Sequence, residues 1–133
     1  MPARPGYIGA IAAFASVALI ATLAYAQKKY DPGATDTEIK IGQTVPFSGP
    51  ASAYASIGKT QAAYFKMIND QGGINGRKVD FISYDDGFSP PKSVEQARKL
   101  IEGDEVLLVF QPLGTAPNVA IQRSEEHTSE LQS

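Results

Sequence analysis

The sequence contains no cysteine and a single histidine, His127. Without thiols there is no disulfide, no thiolate metal site, no cysteine nucleophile and no lipid attached through a cysteine. A net charge of −2 leaves no basic excess with which to hold nucleic acid or an anionic membrane surface. Neither proline, glycine nor the aromatics reach the excess that would suggest disorder. No internal repeat or low-complexity stretch is present. No nucleophile–base pair, metal-ligand cluster or cofactor loop stands out, so the sequence implies no cofactor and no enzyme activity. What is there is an ordinary globular composition, 43% hydrophobic and 20% charged, with 133 residues to hold one domain.

The two ends read differently from the middle. Residues 1–26 have the marks of an export signal: Arg4, an uncharged apolar run over 7–23, and Ala24-Tyr25-Ala26 as a small-x-small cleavage site before Gln27. The alternative is an uncleaved membrane anchor. It is disfavoured because a spanning helix needs about 20 strongly apolar residues, and this run is rich in Gly and Ala. Everything after Gln27 is therefore expected to work outside the cytoplasm, with no cysteine to tether it to lipid. Residues 123–133 (RSEEHTSELQS) carry no apolar periodicity and match, codon for codon, the translation of a common sequencing-adapter oligonucleotide. They are read as non-native, which removes His127 from the candidates. Native sequence is then expected to end at Gln122, inside a domain.

Between these ends the pattern is regular. Residues 27–37 are a polar lead with a turn at Asp31-Pro32-Gly33. Residues 38–46 (EIKIGQTVP) alternate and are β-branched, which predicts the first strand. Phe47-Ser48-Gly49-Pro50 breaks it. Over 55–70, Ile57, Tyr64, Phe65 and Ile68 share one helical face, with Lys59, Lys66 and Asp70 elsewhere. Gly72-Gly73 ends this helix and Asn75-Gly76 makes the next turn. Residues 78–84 (KVDFISY) predict a second strand, closed by Asp85-Asp86-Gly87. Pro90-Pro91 opens a second helix, with Val94, Ala97, Leu100 and Ile101 facing inward and Gly103 as its cap. The continuous apolar run 106–110 (VLLVF) predicts a strand buried on both faces. A loop over 111–115 leads to a third helix near Ala116. The order βαβαβα, with right-handed crossovers, predicts a doubly wound α/β fold: a parallel sheet with helices on both faces.

In such a sheet the crevice lies outside the carboxyl ends of the strands, between the first and third. Two loops matter most, 47–54 and 111–115. The second meets a helix N-terminus, with Thr115 as a candidate N-cap and Pro117 in the first turn. Free N–H groups, a hydroxyl and the positive end of the helix dipole suit a carboxylate; the competing reading is that Thr115 only caps its own helix. Tyr54 ends the first loop, as either an aromatic wall for a ligand or a plain surface tyrosine. Asp85-Asp86 could bind a metal, but turn capping and solvated loop charge are favoured. The stretch 53–60 (AYASIGKT) approaches a phosphate-binding loop but lacks its first glycine and does not begin at the strand end. It reads as the first turns of a helix with Lys59 in solvent.

The stretches IKIG (39–42), FSGP (47–50), INDQGGING (68–76), YDD (84–86) and QPLGT (111–115), in this order behind an export signal, resemble the N-terminal lobe of Leu/Ile/Val-binding proteins. These are type I periplasmic binding proteins of ABC importers, and the resemblance runs over 38–122. It implies a two-lobed hinged clamp that closes on one small solute, such as an amino acid, an amide or an aromatic carboxylate. The clamp would then deliver that solute to an ABC permease in the membrane. By position, Thr115 matches the hydroxyl residue that binds the ligand carboxylate. Tyr54 matches the aromatic that packs on the ligand, and Leu113, followed by Gly114, matches the pocket wall. The second lobe is not in this sequence, so the chain alone is expected to be inactive. The alternative within the same fold is the ligand-sensing domain of a membrane receptor.

Overall fold

The computed structural model describes residues 30–132, so the export signal read in 1–26 lies outside the described residues. In chain order the elements are β1 (Glu38–Val45), a 3-10 turn (Ser52–Tyr54), α1 (Ala55–Asp70), β2 (Lys78–Asp85) and α2 (Pro90–Arg98). A π turn (Lys99–Gly103), β3 (Leu108–Val109) and α3 (Thr115–Gln132) complete the series. The sheet is parallel throughout, in the order β2-β1-β3. The predicted α/β architecture is therefore the observed one, with β1 in the middle and paired along both edges.

β1 is sandwiched because its two faces accept close neighbours. On one face, a Cβ at Gly58 of α1 would lie 2.9 Å from Val45 Cγ1 and 3.1 Å from Phe47 Cζ. On the other, a Cβ at Gly42 would lie 2.8 Å from Leu100 Cδ2. Ring contacts extend the first face: Phe65 of α1 stacks on Phe81 at 5.0 Å and on Phe110 at 5.7 Å. Val45, Leu100 and Ala97 are almost wholly buried and form the centre of the core.

Four expectations need correction. The inward face of α1 runs through Ala55 and Gly58, leaving Ile57 and Tyr64 exposed. The absent side chain at Gly58 is what lets the helix seat there. In the second helix Leu100 is buried but Ile101, inside the π turn that replaces the regular helix there, is exposed. Gly103 is the last residue of that turn rather than a left-handed cap; the left-handed residue is Glu105, at φ 53°. The run 106–110 pairs with β1 through Leu107 N–H to Lys40 O (2.9 Å) and Phe110 N–H to Gly42 O (2.6 Å). It is not buried on both faces: Leu107 and Leu108 are exposed, since α1 packs mainly on β2 and β1. The third helix, expected near Ala116, begins at Thr115 and runs to Gln132.

The connection from α1 to β2 follows its sequence closely. Gly72 and Gly73 take left-handed φ of 108° and 81°, and Gly73 N–H closes the helix on Ile68 O at 2.9 Å. Asn75 and Gly76 are both left-handed, and Ile74 and Arg77 exchange backbone hydrogen bonds across them at 2.8 and 3.0 Å, as in a type I′ turn. A Cβ at Gly73 would sit 1.9 Å from Arg77 O, whereas one at Gly76 would meet nothing. Gly73→Ala is therefore expected to lower the unfolding free energy by roughly 2–4 kcal/mol, and Gly76→Ala by only about 1 kcal/mol. Urea denaturation of the two variants checks this; equal losses would show that the Arg77 contact is unimportant.

Candidate functional site

Because the strands are parallel, their carboxyl ends share one edge of the sheet, and three loops gather there: 46–54, 86–89 and 110–114. The crossover through α1 leaves β1 toward β2, and the next returns to β3 on the other side, so the switch point lies between β1 and β3.

Asp85, at the end of β2, holds the first loop. Its Oδ1 accepts the N–H groups of Phe47 (2.9 Å), Ser48 (3.1 Å) and Gly87 (3.0 Å). Its Oδ2 accepts the Ser48 hydroxyl (2.6 Å) and the Lys92 ammonium (3.1 Å). These donors, the Ser48 hydroxyl foremost, hold the carboxyl well below the usual carboxylate range against the opposing effect of burial. Asp86 is fully buried and turns the other way, accepting Phe88 N–H at 2.9 Å and the Ser93 hydroxyl at 2.7 Å. The capping role favoured for this pair is the observed one. Among the described residues no group of three or more His, Asp or Glu is placed to hold a metal ion.

The loop after β3 hangs from β1. Leu113 N–H bonds Thr44 O at 3.0 Å. Gln111 stands in the left-handed region (φ 45°), and its carbonyl accepts Gln43 Nε2 at 3.2 Å. Its Oε1 accepts Gln61 Nε2 at 2.7 Å. Gln43 also donates to Gln61 and accepts the Ser83 hydroxyl at 3.2 Å. This fully buried glutamine thus ties β1, α1, β2 and the loop together. Thr44 Oγ1, equally buried, has no hydrogen-bond partner among the described residues.

Thr115 is not the N-cap. Gly114 holds that position: its φ is 102° and its carbonyl accepts Asn118 N–H at 3.1 Å, the first bond of α3. Asn118 Nδ2 ties the turn down by donating to Pro112 O (2.7 Å) and Gly114 O (2.6 Å). Thr115 becomes the first helical residue, exposed, with its hydroxyl making no hydrogen bond among the described residues. Pro117 is buried within the first turn, as expected. Leu113 and Gly114 are half-buried beside Thr115. Tyr54 stands on the neighbouring loop, exposed at the start of α1; no hydrogen bond or ring contact joins it to the other three. Gly58 lies inside α1 with Lys59 in solvent, so the stretch 53–60 is a helix start and not a phosphate cradle.

Sequence reasoning missed the Gln43 network, the Asp85 clamp and the contact of Phe88 with Gly114. Only the first left a signal. Gln43 interrupts the inward apolar positions Ile39, Ile41 and Val45 of β1, and a polar residue there needs buried partners.

A doubly wound lobe with an exposed helix N-terminus, opened by Gly114, at its switch point has the geometry of a ligand-holding module. A family model described as a periplasmic binding protein matches residues 38–124, and the chain belongs to that family. Leu/Ile/Val-binding protein homolog 1 of Brucella abortus is 34% identical over 87 residues, covering 65% of this chain and 22% of that protein. The fatty acid ABC transporter substrate-binding protein from Thermomonospora curvata superposes with a TM-score of 0.63 at 30% identity, covering 74% of this chain and 25% of that one. A solute-binding protein of an ABC transporter from R. palustris, solved in complex with benzoate, superposes with a TM-score of 0.55 at 25% identity, covering 68% of this chain and 25% of that one. The chain therefore spans about a fifth to a quarter of the length of these three proteins.

Asp85→Asn is expected to loosen residues 46–54 and to lower stability by about 1–2 kcal/mol, as for charge-assisted hydrogen bonds at a partly exposed site. The folded carboxyl titrates below its unfolded counterpart, whose pKa is about 4. Its contribution is thus complete above about pH 5 and fades as pH falls below about 4. Denaturation midpoints measured against pH should show this acid-side slope in the parent chain and its reduction in the variant.

Proposed function

We propose that this chain is part of the first lobe of an extracytoplasmic solute-binding component of an ABC importer, and that its solute carries a carboxylate. The observation that carries the reading is Thr115: an exposed hydroxyl with no hydrogen-bond partner among the described residues, set directly after Gly114 in the first turn of α3 at the switch point. The N–H groups of this turn have no intrahelical acceptor. With the hydroxyl and the positive end of the helix dipole they would receive a carboxylate. Tyr54 and Leu113 would wall the body of the solute. The names of the similar proteins support this division of labour. Leu/Ile/Val, a fatty acid and benzoate differ in their apolar bodies and share a carboxylate.

The protein acts by binding and release, without turnover. Export would use residues 1–26, and the adapter-like residues 123–133 would take no part. A clamp buries its solute between two lobes, so one wall of the pocket should not hold a solute alone. Titration calorimetry of residues 27–122 with leucine or benzoate is expected to give no binding heat; micromolar affinity would refute the clamp reading. In the complete protein, Thr115→Ala should weaken binding of carboxylated solutes by about 1–3 kcal/mol, the usual effect of losing a hydrogen bond to a charge. An unchanged dissociation constant would remove Thr115 from the site.

A further inference from the structure

We propose that Phe88 is a positioning residue for the solute site, acting from the neighbouring loop on Gly114 and through it on Thr115; this rests on the reading of Thr115 as the carboxylate-binding group. Phe88 has a φ of 61°, a left-handed conformation that bulky residues seldom adopt. Such strain persists where the surroundings over-determine it, and here they do. Gly87 before it is also left-handed, at 56°. The buried carboxylate of Asp86 takes Phe88 N–H on one oxygen and the Ser93 hydroxyl on the other, while Asp86 O accepts Ser89 N–H at 3.0 Å. The tight turn so formed directs the ring across to the loop after β3.

The ring finds room there only because residue 114 is glycine. A Cβ at Gly114 would lie 2.4 Å from Phe88 Cε2 and 2.9 Å from Cζ, with Pro117 Cδ at 3.2 Å. The aromatic edge thus occupies the place of the side chain that Gly114 lacks. Thr115 has no hydrogen bond of its own at its hydroxyl, so the position of that hydroxyl is inherited from the Gly114 backbone. Gly114 in turn is held by Asn118 below and by Phe88 from the side.

The test uses the complete protein with Phe88→Asn, Phe88→Tyr and Thr115→Ala. Asparagine tolerates a left-handed φ and keeps the N–H that Asp86 needs, so it removes the ring without adding strain. Without ligand, amide exchange at Leu113 and Asn118 is expected to quicken about tenfold in Phe88→Asn and to stay at the parent rate in Phe88→Tyr, with Ile41 and Val79 unchanged. With leucine, octanoate and benzoate as probes, Phe88→Asn should weaken binding about tenfold in the parent, but less than about twofold in a Thr115→Ala background. Unchanged exchange in Phe88→Asn overturns the proposal whatever the ligand result. Faster exchange with an unchanged dissociation constant, or equal weakening in both backgrounds, also overturns it. If Thr115→Ala leaves binding intact, or none of the three probes binds, the carboxylate reading fails and takes the role of Phe88 with it. The ligand-free exchange data then still report whether the contact orders the loop.

Discussion

The backbone of β1 is the rail from which every part of the candidate site is hung. Its Gly42 carbonyl takes Phe110 N–H, its Thr44 carbonyl takes Leu113 N–H, and its Val45 carbonyl takes both Phe47 and Asp86 N–H groups. A central parallel strand can do this because its hydrogen bonds leave along both edges at an even spacing. The loops after β1, β2 and β3 therefore inherit one register, and a shift of β1 would displace all three together. The close approach of α1 at Gly58 and of Leu100 at Gly42 prevents such a shift, since both faces of the strand are filled to contact.

Above this rail the loops are joined to one another sideways. Asp85 reaches from β2 to the loop after β1, Gln61 reaches from α1 to Gln111, and Phe88 reaches from the β2 loop to Gly114. The polar members of this set are satisfied mostly by one another, which suits a buried network. The exception is the Thr44 hydroxyl, buried with no hydrogen-bond partner among the described residues. The outcome is an edge of mutually held loops on which Thr115 stands exposed, its hydroxyl without a hydrogen bond among the described residues. Pre-organisation of this kind lowers the ordering cost when a ligand binds.

Much of the fold was legible because short-range chemistry decides it. Gly72-Gly73 and Asn75-Gly76 need left-handed backbone, and only such residues take it without large cost, so these turns could be read directly. The alternation of residues 38–46 and the proline pair at Pro90-Pro91 marked a strand and a helix start for the same reason. Side-chain direction was less legible. Ile57 and Ile101 look inward by periodicity and are outward in fact: α1 seats on its contact at Gly58, and Ile101 falls in a π turn where the regular helical period no longer holds. The exposure of Leu107 and Leu108 likewise depends on where α1 lies, which no local pattern records.

The candidate site divides along the same line. By itself the sequence determined the class of fold, the strand order and the two loops that meet at the switch point, since hydrophobic period, glycine placement and crossover handedness are local or universal rules. It placed Tyr54, Leu113, Gly114 and Thr115 on those loops. Only the tertiary structure decided that Gly114, rather than Thr115, closes the helix. It also decided that Asp85 clamps the first loop and that Phe88 fills the space Gly114 leaves. The last two depend on distances between residues 26–38 positions apart in the chain, and such distances exist only once the sheet has brought the strand ends together.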